Sequence, residues 1–372
     1  MLPTQKTTRR PGRAAFAAVL CVALAILSAC SGERADSTKM GAGGNTIRLQ
    51  GAGATFPNPL YQKWLSEYAK ANPQARIDYQ SIGSGGGIQQ IQSQTVDFGA
   101  TDTPMSDEDL KKAPGELLHI PTVLGAVVIT YNLEGVAAPL RFSPDVIADI
   151  FLGKIKRWDD ARIKADNPGV ALPANEIAVV HRSDGSGTTA VFTDYLSKVS
   201  PEWKTKPGAG KSIDWPVGIG GKGNEGVSGQ VKNTPNTIGY VELAYAVQTK
   251  LPVALVKNKS GNFVEPSLAA TTAAAAESLS TTPEDLRVSI TDPAGAQAYP
   301  ISSYTYVLVY KEQKDATKGK ALVDFLWWAI HEGQQVTKDP QYPYAALPAE
   351  IVEKAAAKLN SITSGGKTLR GA

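Results

Sequence analysis

Cysteine, histidine and long apolar runs are what this sequence has least of. Its 372 residues include two cysteines, three histidines and three methionines. Both cysteines, Cys21 and Cys30, fall within the first thirty residues. The body that follows therefore carries no thiol, which excludes disulfides, cysteine catalysis and thiolate metal sites there. His119, His181 and His331 are scattered, with no H-E-x-x-H and no carboxylate loop around them, so neither a metal nor another cofactor is expected. The longest apolar run, residues 14–27, is too short to span a bilayer comfortably. A broad basic field is missing as well. Four of the 38 basic groups and none of the 35 acidic ones lie in residues 1–29. The remainder carries 34 basic against 35 acidic groups, a net charge of −1, so nucleic acid is not an expected partner.

The start of the chain reads as an export signal. MLPTQKTTRRPGR is basic and free of acids, and the apolar run follows it directly. Leu27-Ser28-Ala29-Cys30 resembles the lipobox of bacterial lipoproteins, in which cleavage precedes the cysteine and lipid is attached to it. The expectation is a signal peptide at 1–29 and a lipidated Cys30 at the head of a polar, Gly-rich tether ending at residue 45. The protein would then be anchored in the cell envelope, facing the periplasm or the cell exterior.

The rest alternates β-like and helix-like stretches. TIRLQ, RIDYQSI, VDFGA, GAVVITYN, EIAVVHR and SYTYVLVYK read as strands. LYQKWLSEYAK and VFTDYLSKV place their apolar residues on one helical face. This predicts an α/β fold with largely parallel sheets. The Ala-rich stretch at 269–278 reads as an exposed helix without a function, and no repeat of 20 to 50 residues is visible.

One junction recurs. A strand runs into a turn of Gly, Ser and Thr that opens a helix, at GAGATFPNP, at GSGGG (residues 83–87) and at RSDGSGTT (residues 182–189). The first N–H groups of a helix have no intrahelical acceptor and carry the positive end of its dipole, so such turns suit anions. Ordinary N-capping explains any one of them; three together, one with Arg182 two residues before its turn, point to a shared oxyanion site. Arg182 offers a fork of donors and Asp184 is placed to orient it. Ser186 is not in a nucleophile elbow, because Asp184 and Thr188 stand where G-x-S-x-G requires glycine. No base is evident beside it, and His181 continues a strand on the side away from Arg182. GAGKS at 208–212 lacks the first glycine of a phosphate-binding loop, and GIGGKG at 218–223 has no dinucleotide context.

GAGATFPNPLYQKW, YQSIGSGGG, VDFGATDTPMS, RSDGSGTTAVF, WPVGIGGKGNEGV and IGYVELAYA occur in this order. Together they closely resemble the phosphate-binding proteins of bacterial high-affinity phosphate ABC importers, from about Thr46 to YPYAALP. The resemblance implies a two-lobed periplasmic-binding-protein fold (type II-like) hinged on two crossover strands. Lobe I would take residues 46–126 and 304–372, and lobe II residues 127–303. It implies a monomeric receptor, not an enzyme, that delivers inorganic phosphate to a membrane permease. Carried over by motif, Thr55, Phe56 (through its N–H), Ser84, Asp102, Arg182, Ser186, Gly187 and Thr188 would bind phosphate, with Asp184 paired to Arg182. Gly85 replaces a serine common in relatives and Ser183 an alanine, without loss of any binding side chain. A carboxylate in an anion site has a chemical use. Asp102 can accept the proton that phosphate retains near neutral pH, whereas sulfate offers it only lone pairs; it can alternatively cap the turn at Thr103. A receptor for sulfate or molybdate, an exported serine hydrolase or phosphatase, and a phosphate sensor are the competing readings.

Overall fold

Two sets of parallel strands frame the molecule, and two long antiparallel strands join them. The computed structural model describes residues 46–136 and 139–370; the signal segment, Cys30 and the tether to residue 45 lie outside the described residues. In the first set, β1 (Ile47–Gly53) feeds α1 (Asn58–Ala71) and β2 (Ala75–Ser81) feeds α2 (Ser84–Gln92), while β3 (Phe98–Thr101) leads to the short α3 (Asp107–Lys111). The long β4 (Leu117–Asn132) follows, then β5 (Arg141–Phe142), α4 (Pro144–Phe151) and α5 (Ala161–Asp166). In the second set, β6 (Ala178–Arg182) feeds α6 (Gly187–Val199), with α7 (Pro201–Thr205) after it. There β7 (Ile219–Gly221) feeds α8 (Gly223–Asn233), and β8 (Thr237–Glu242) feeds α9 (Leu243–Thr249). β9 (Leu255–Lys257), β10 (Phe263–Val264) and α10 (Leu268–Ala276) lead to the second long strand, β11 (Ser302–Tyr310). The chain finishes with α11 (Ala316–Ile330), α12 (Ala349–Asn360) and the hairpin β12 (Thr363–Ser364) and β13 (Lys367–Thr368).

Eight strands pair in the order β2-β1-β3-β11-β4-β8-β6-β7. The outer pairs are parallel: β1 with β2 and β3, and β6 with β7 and β8. The centre is antiparallel, β11 with β3 and β4, and β4 with β8. The expected parallel arrangement thus holds for the two halves but not between them, because β4 carries the chain out of the first half and β11 carries it back. β4 changes partner part-way along: Leu117–Ala126 lies against β11, and Val127–Asn132 against β8. Its sequence, LLHIPTVLGAVVITYN, is buried at every position but the last. Burial on both faces is why its second half, GAVVITYN, shows no regular alternation of apolar and polar residues.

Aromatic packing seats α1. In α1, Tyr61 stacks on Trp64 at 5.6 Å, Trp64 donates its indole N–H to the Gly333 carbonyl at 2.7 Å, and Tyr68 meets Phe325 edge-on at 5.2 Å. Pro121 in β4 has no N–H for the ladder, and the register shifts opposite it, between Thr305 and Tyr306 of β11. The irregularity lies beside Thr305, whose hydroxyl reaches Asp102 at the end of β3. The Ala-rich helix α10 is not exposed as expected: Ala270, Thr271, Ala274 and Ala275 are buried, because a small-residue face allows it to lie close against its neighbours.

α2 sits on the sheet through Gly87. A Cβ there would lie 2.5 Å from Gly53 Cα, 2.7 Å from the Ala52 carbonyl oxygen and 2.9 Å from that of Ala100, all of them backbone. Gly87→Ala is therefore expected to destabilise the protein by about 1–3 kcal/mol, the usual cost of overpacking. Urea unfolding measures this; a change within about 0.5 kcal/mol of wild type would show that α2 is not seated so closely.

Candidate functional site

The helix starts converge. Thr55 and Phe56 precede α1, Ser84 opens α2, and Ser186, Gly187 and Thr188 open α6; all of these are buried. Gly83, at φ 88°, sits against the β6–α6 turn, where a Cβ would come 2.4 Å from Asp184 Oδ2. Gly85 donates its N–H to the Gly185 carbonyl at 2.8 Å. A Cβ on Gly187 would come 2.4 Å from both Asp102 Oδ2 and Ser84 Oγ. A residue larger than glycine there would wedge the start of α6 away from β3 and α2.

Arg182 ends β6 with its side chain 1% exposed. Nε donates to Asp184 Oδ1 at 2.7 Å and Nη2 to Oδ2 at 2.5 Å, a bidentate pair, while Nη1 reaches Thr188 Oγ1 at 3.4 Å. The Gly223 N–H also donates to Asp184, at 3.0 Å. Burial works to raise the Asp184 pKa, but the hydrogen bonds and charge of Arg182 and the Gly223 N–H outweigh it, and the net direction is down.

Asp102 follows β3 and is also buried. Its Oδ1 accepts from the Thr305 hydroxyl at 2.9 Å and its Oδ2 from the Ser84 hydroxyl at 3.4 Å. The carboxylate thus faces the convergence point instead of capping the Thr103 turn. Burial pushes its pKa up to about 7, against the Thr305 hydrogen bond, the Arg182 charge and the Ser84 hydrogen bond. Lys211 lies near enough for its charge to act on Asp102, and its carbonyl accepts the Ser186 N–H at 2.8 Å. The GAGKS segment therefore backs the start of α6.

Ser186 Oγ accepts the Thr189 N–H at 3.0 Å, an ordinary N-cap, and the first-turn N–H groups of Gly187 and Thr188 have no intrahelical acceptor. The three histidines are engaged away from Ser186. His181 hydrogen-bonds the Arg182 carbonyl through Nδ1 at 3.0 Å and stacks on Trp215 at 4.8 Å. His119 Nε2 accepts the Met105 N–H at 3.0 Å, and burial pushes its pKa down to about 3. His331 Nδ1 contacts the Trp327 carbonyl at 2.8 Å. Among the described residues no cluster of three or more His, Cys, Asp or Glu is arranged for a metal.

Sequence reasoning missed two participants. Thr305 lies some two hundred residues from Asp102, and nothing local in SYTYVLVY marks it. Asn224 had a signal. GIGGKGNEGV is a fourth strand–glycine–helix junction, formed by β7 and α8, and it brings buried Asn224 to the same point. Asn224 Nδ2 donates to Thr55 Oγ1 at 2.7 Å and to Thr188 Oγ1 at 3.1 Å.

A family model described as a PBP superfamily domain matches residues 40–329. A phosphate-binding protein PstS from Xylella fastidiosa is 42% identical over 347 residues, covering 90% of this chain and 94% of the relative. One from Pasteurella multocida is 46% identical over 324 residues, covering 86% and 93%. The chain belongs to the PstS family of phosphate-binding proteins. Solved structures agree on the fold. A high affinity periplasmic phosphate-binding protein bound with phosphate superposes with a TM-score of 0.66 at 22% identity, over 84% of this chain and 92% of that one. A phosphate-binding protein from Stenotrophomonas maltophilia gives 0.64 at 21%, over 84% and 93%.

The buried Arg182–Asp184 pair should carry stability. Asp184→Ala strands a buried guanidinium and is expected to cost about 3 kcal/mol, the low end for a broken buried pair, because Asp184 keeps some solvent contact. The sign with pH follows from its lowered pKa. The contribution is present above the unfolded carboxyl pKa, near 4, and fades as pH falls through the lower folded value. Urea unfolding of wild type and variant at pH 7 and pH 3 should show a deficit that shrinks on acidification. A deficit under about 0.5 kcal/mol at pH 7 would contradict the pairing's role.

Proposed function

We propose that this chain is the extracytoplasmic receptor of an ABC-type phosphate importer, binding one inorganic phosphate and delivering it to the permease. The observation that carries this is the convergence of four helix starts on one buried arginine, with a buried carboxylate opposite. Arg182, the Ser84, Ser186, Thr55 and Thr188 hydroxyls, and the N–H groups of Phe56, Gly187 and Thr188 supply donors. Asp102 supplies the acceptor, and phosphate, unlike sulfate or molybdate, brings a proton for it at neutral pH. The named relatives are binding proteins, and the engagement of all three histidines leaves Ser186 without a base, which disfavours a hydrolase.

Phosphate would bind between two lobes, residues 46–126 with 304–372 and residues 127–303. The change of partner along β4 between Ala126 and Val127 supports that division, with β4 and β11 as the hinge strands. Because the converging residues are buried, the ligand must enter by separation of the lobes. The lipobox-like Leu27-Ser28-Ala29-Cys30 supports a lipid anchor on Cys30, which would hold a monomeric receptor at the membrane; among the described residues no helix is long and apolar enough to cross a membrane.

Titration calorimetry of residues 46–372, stripped of ligand, tests the reading. Wild type should bind one phosphate at pH 8 and ignore sulfate. Burial disfavours the charged form of Asp102, so below about pH 7 the neutral carboxyl, now a donor, gains population. Sulfate binding should therefore appear as pH falls from 8 to 5, and Asp102→Asn should bind sulfate at both. Equal phosphate and sulfate heats for wild type at pH 8 would overturn the phosphate assignment.

A further inference from the structure

Asn224 does more than fill space between helix starts. Its side chain is buried with a fixed orientation. The Glu242 backbone N–H, which can only donate, lies 3.0 Å from Oδ1. Nδ2 must therefore face the other way, towards Thr55 and Thr188. The two threonine oxygens each receive a second donor that cannot accept in return. Thr55 Oγ1 takes the Asn224 backbone N–H at 3.2 Å as well as Nδ2 at 2.7 Å. Thr188 Oγ1 takes Arg182 Nη1 at 3.4 Å as well as Nδ2 at 3.1 Å. A hydroxyl has two lone pairs and one proton. With both lone pairs engaged, each hydroxyl is left with its proton alone to offer.

We propose that Asn224 is a positioning residue for anion recognition: by occupying the lone pairs of Thr55 and Thr188, it obliges both hydroxyls to act as donors to the bound oxyanion. The inference rests on the phosphate-receptor reading. It adds that two of the site's donors are set before the ligand arrives, so binding does not have to reorient them. It also gives one residue a hold on two helix starts, β1–α1 through Thr55 and β6–α6 through Thr188. Asn224→Asp reverses the chemistry with little change of shape. Oδ1 still accepts from Glu242, but the second carboxylate oxygen now takes the threonine protons and turns lone pairs towards the anion.

A double-mutant cycle with calorimetric phosphate binding at pH 8 separates this role from simple support, with ligand-free thermal unfolding as the check on folding. Asn224→Ala should weaken phosphate binding about tenfold, and Asn224→Asp about a hundredfold or more. In a Thr188→Val background, where one of the two hydroxyls is gone, both losses should shrink severalfold, because Asn224 then has only Thr55 left to orient. Equal losses in both backgrounds, or unchanged affinity in Asn224→Ala, would overturn the proposal while leaving the receptor reading intact. Should Asn224→Ala fail to fold, the near-isosteric Asn224→Asp in the two backgrounds supplies the same comparison. Absence of phosphate binding by wild type would instead sink the reading on which the proposal stands.

Discussion

The site depends on a guanidinium that has been taken out of water. Arg182 is worth burying because Asp184 engages two of its nitrogens, and Asp184 is held in turn by the Gly223 N–H. That chain of bonds ties the end of β6 to the start of α8 and fixes the β6–α6 turn, on which Gly83 and Gly85 of the other half rest. Removing either member of the pair would strand a charge in a low-dielectric interior, a larger loss than the pair's own net contribution.

Charge alone does not make this an anion site. Arg182 is balanced by Asp184, and Asp102 adds a second carboxylate within reach of the Arg182 field. The attraction must come from oriented dipoles: first-turn N–H groups, hydroxyls with their lone pairs already engaged, and the ends of α1, α2, α6 and α8. A site of this kind discriminates by where its protons are. In the proposed site donors would surround the anion, and the single acceptor, Asp102, would reward a ligand that carries a proton of its own. The same burial that raises the Asp102 pKa would make that discrimination sensitive to pH. Polar contacts from several elements draw the two halves together. Among them are the Gly85–Gly185 backbone bond, the bonds of Asn224 and the Tyr245 hydroxyl to Thr55, the Ser81–Glu225 bond, the Lys354 bond to the Thr282 carbonyl and the Arg287–Asp107 ion pair.

Much of this was legible in the sequence, for physical reasons that vary by element. The α1 face of Leu60, Tyr61, Trp64 and Tyr68 was visible because helical periodicity is local. The three glycine-rich helix starts were visible for the same reason, and Arg182 and Asp184 lie two residues apart. β4 read only as a fragment, GAVVITYN, because its first half contains Pro121 and His119, which mask a strand whose partners hold it in place. The antiparallel centre was not legible, since nothing in the local pattern of β11 says that it returns between β3 and β4. Asn224 was overlooked because GIGGKG was weighed as a nucleotide motif and not as a fourth helix start. Thr305 contributes through a contact across the sheet that only tertiary structure can make.

In the proposed complex these groups meet on one phosphate, and Asp102 accepts its proton. A crystal structure of residues 46–372 with phosphate at neutral pH tests it most directly. A single anion is expected within about 2.5–3.2 Å of Arg182 and the Thr55, Ser84, Ser186 and Thr188 hydroxyls, with one short contact of about 2.5–2.7 Å to an Asp102 carboxylate oxygen. Phosphate bound elsewhere, or Asp102 turned away from every phosphate oxygen, would contradict it.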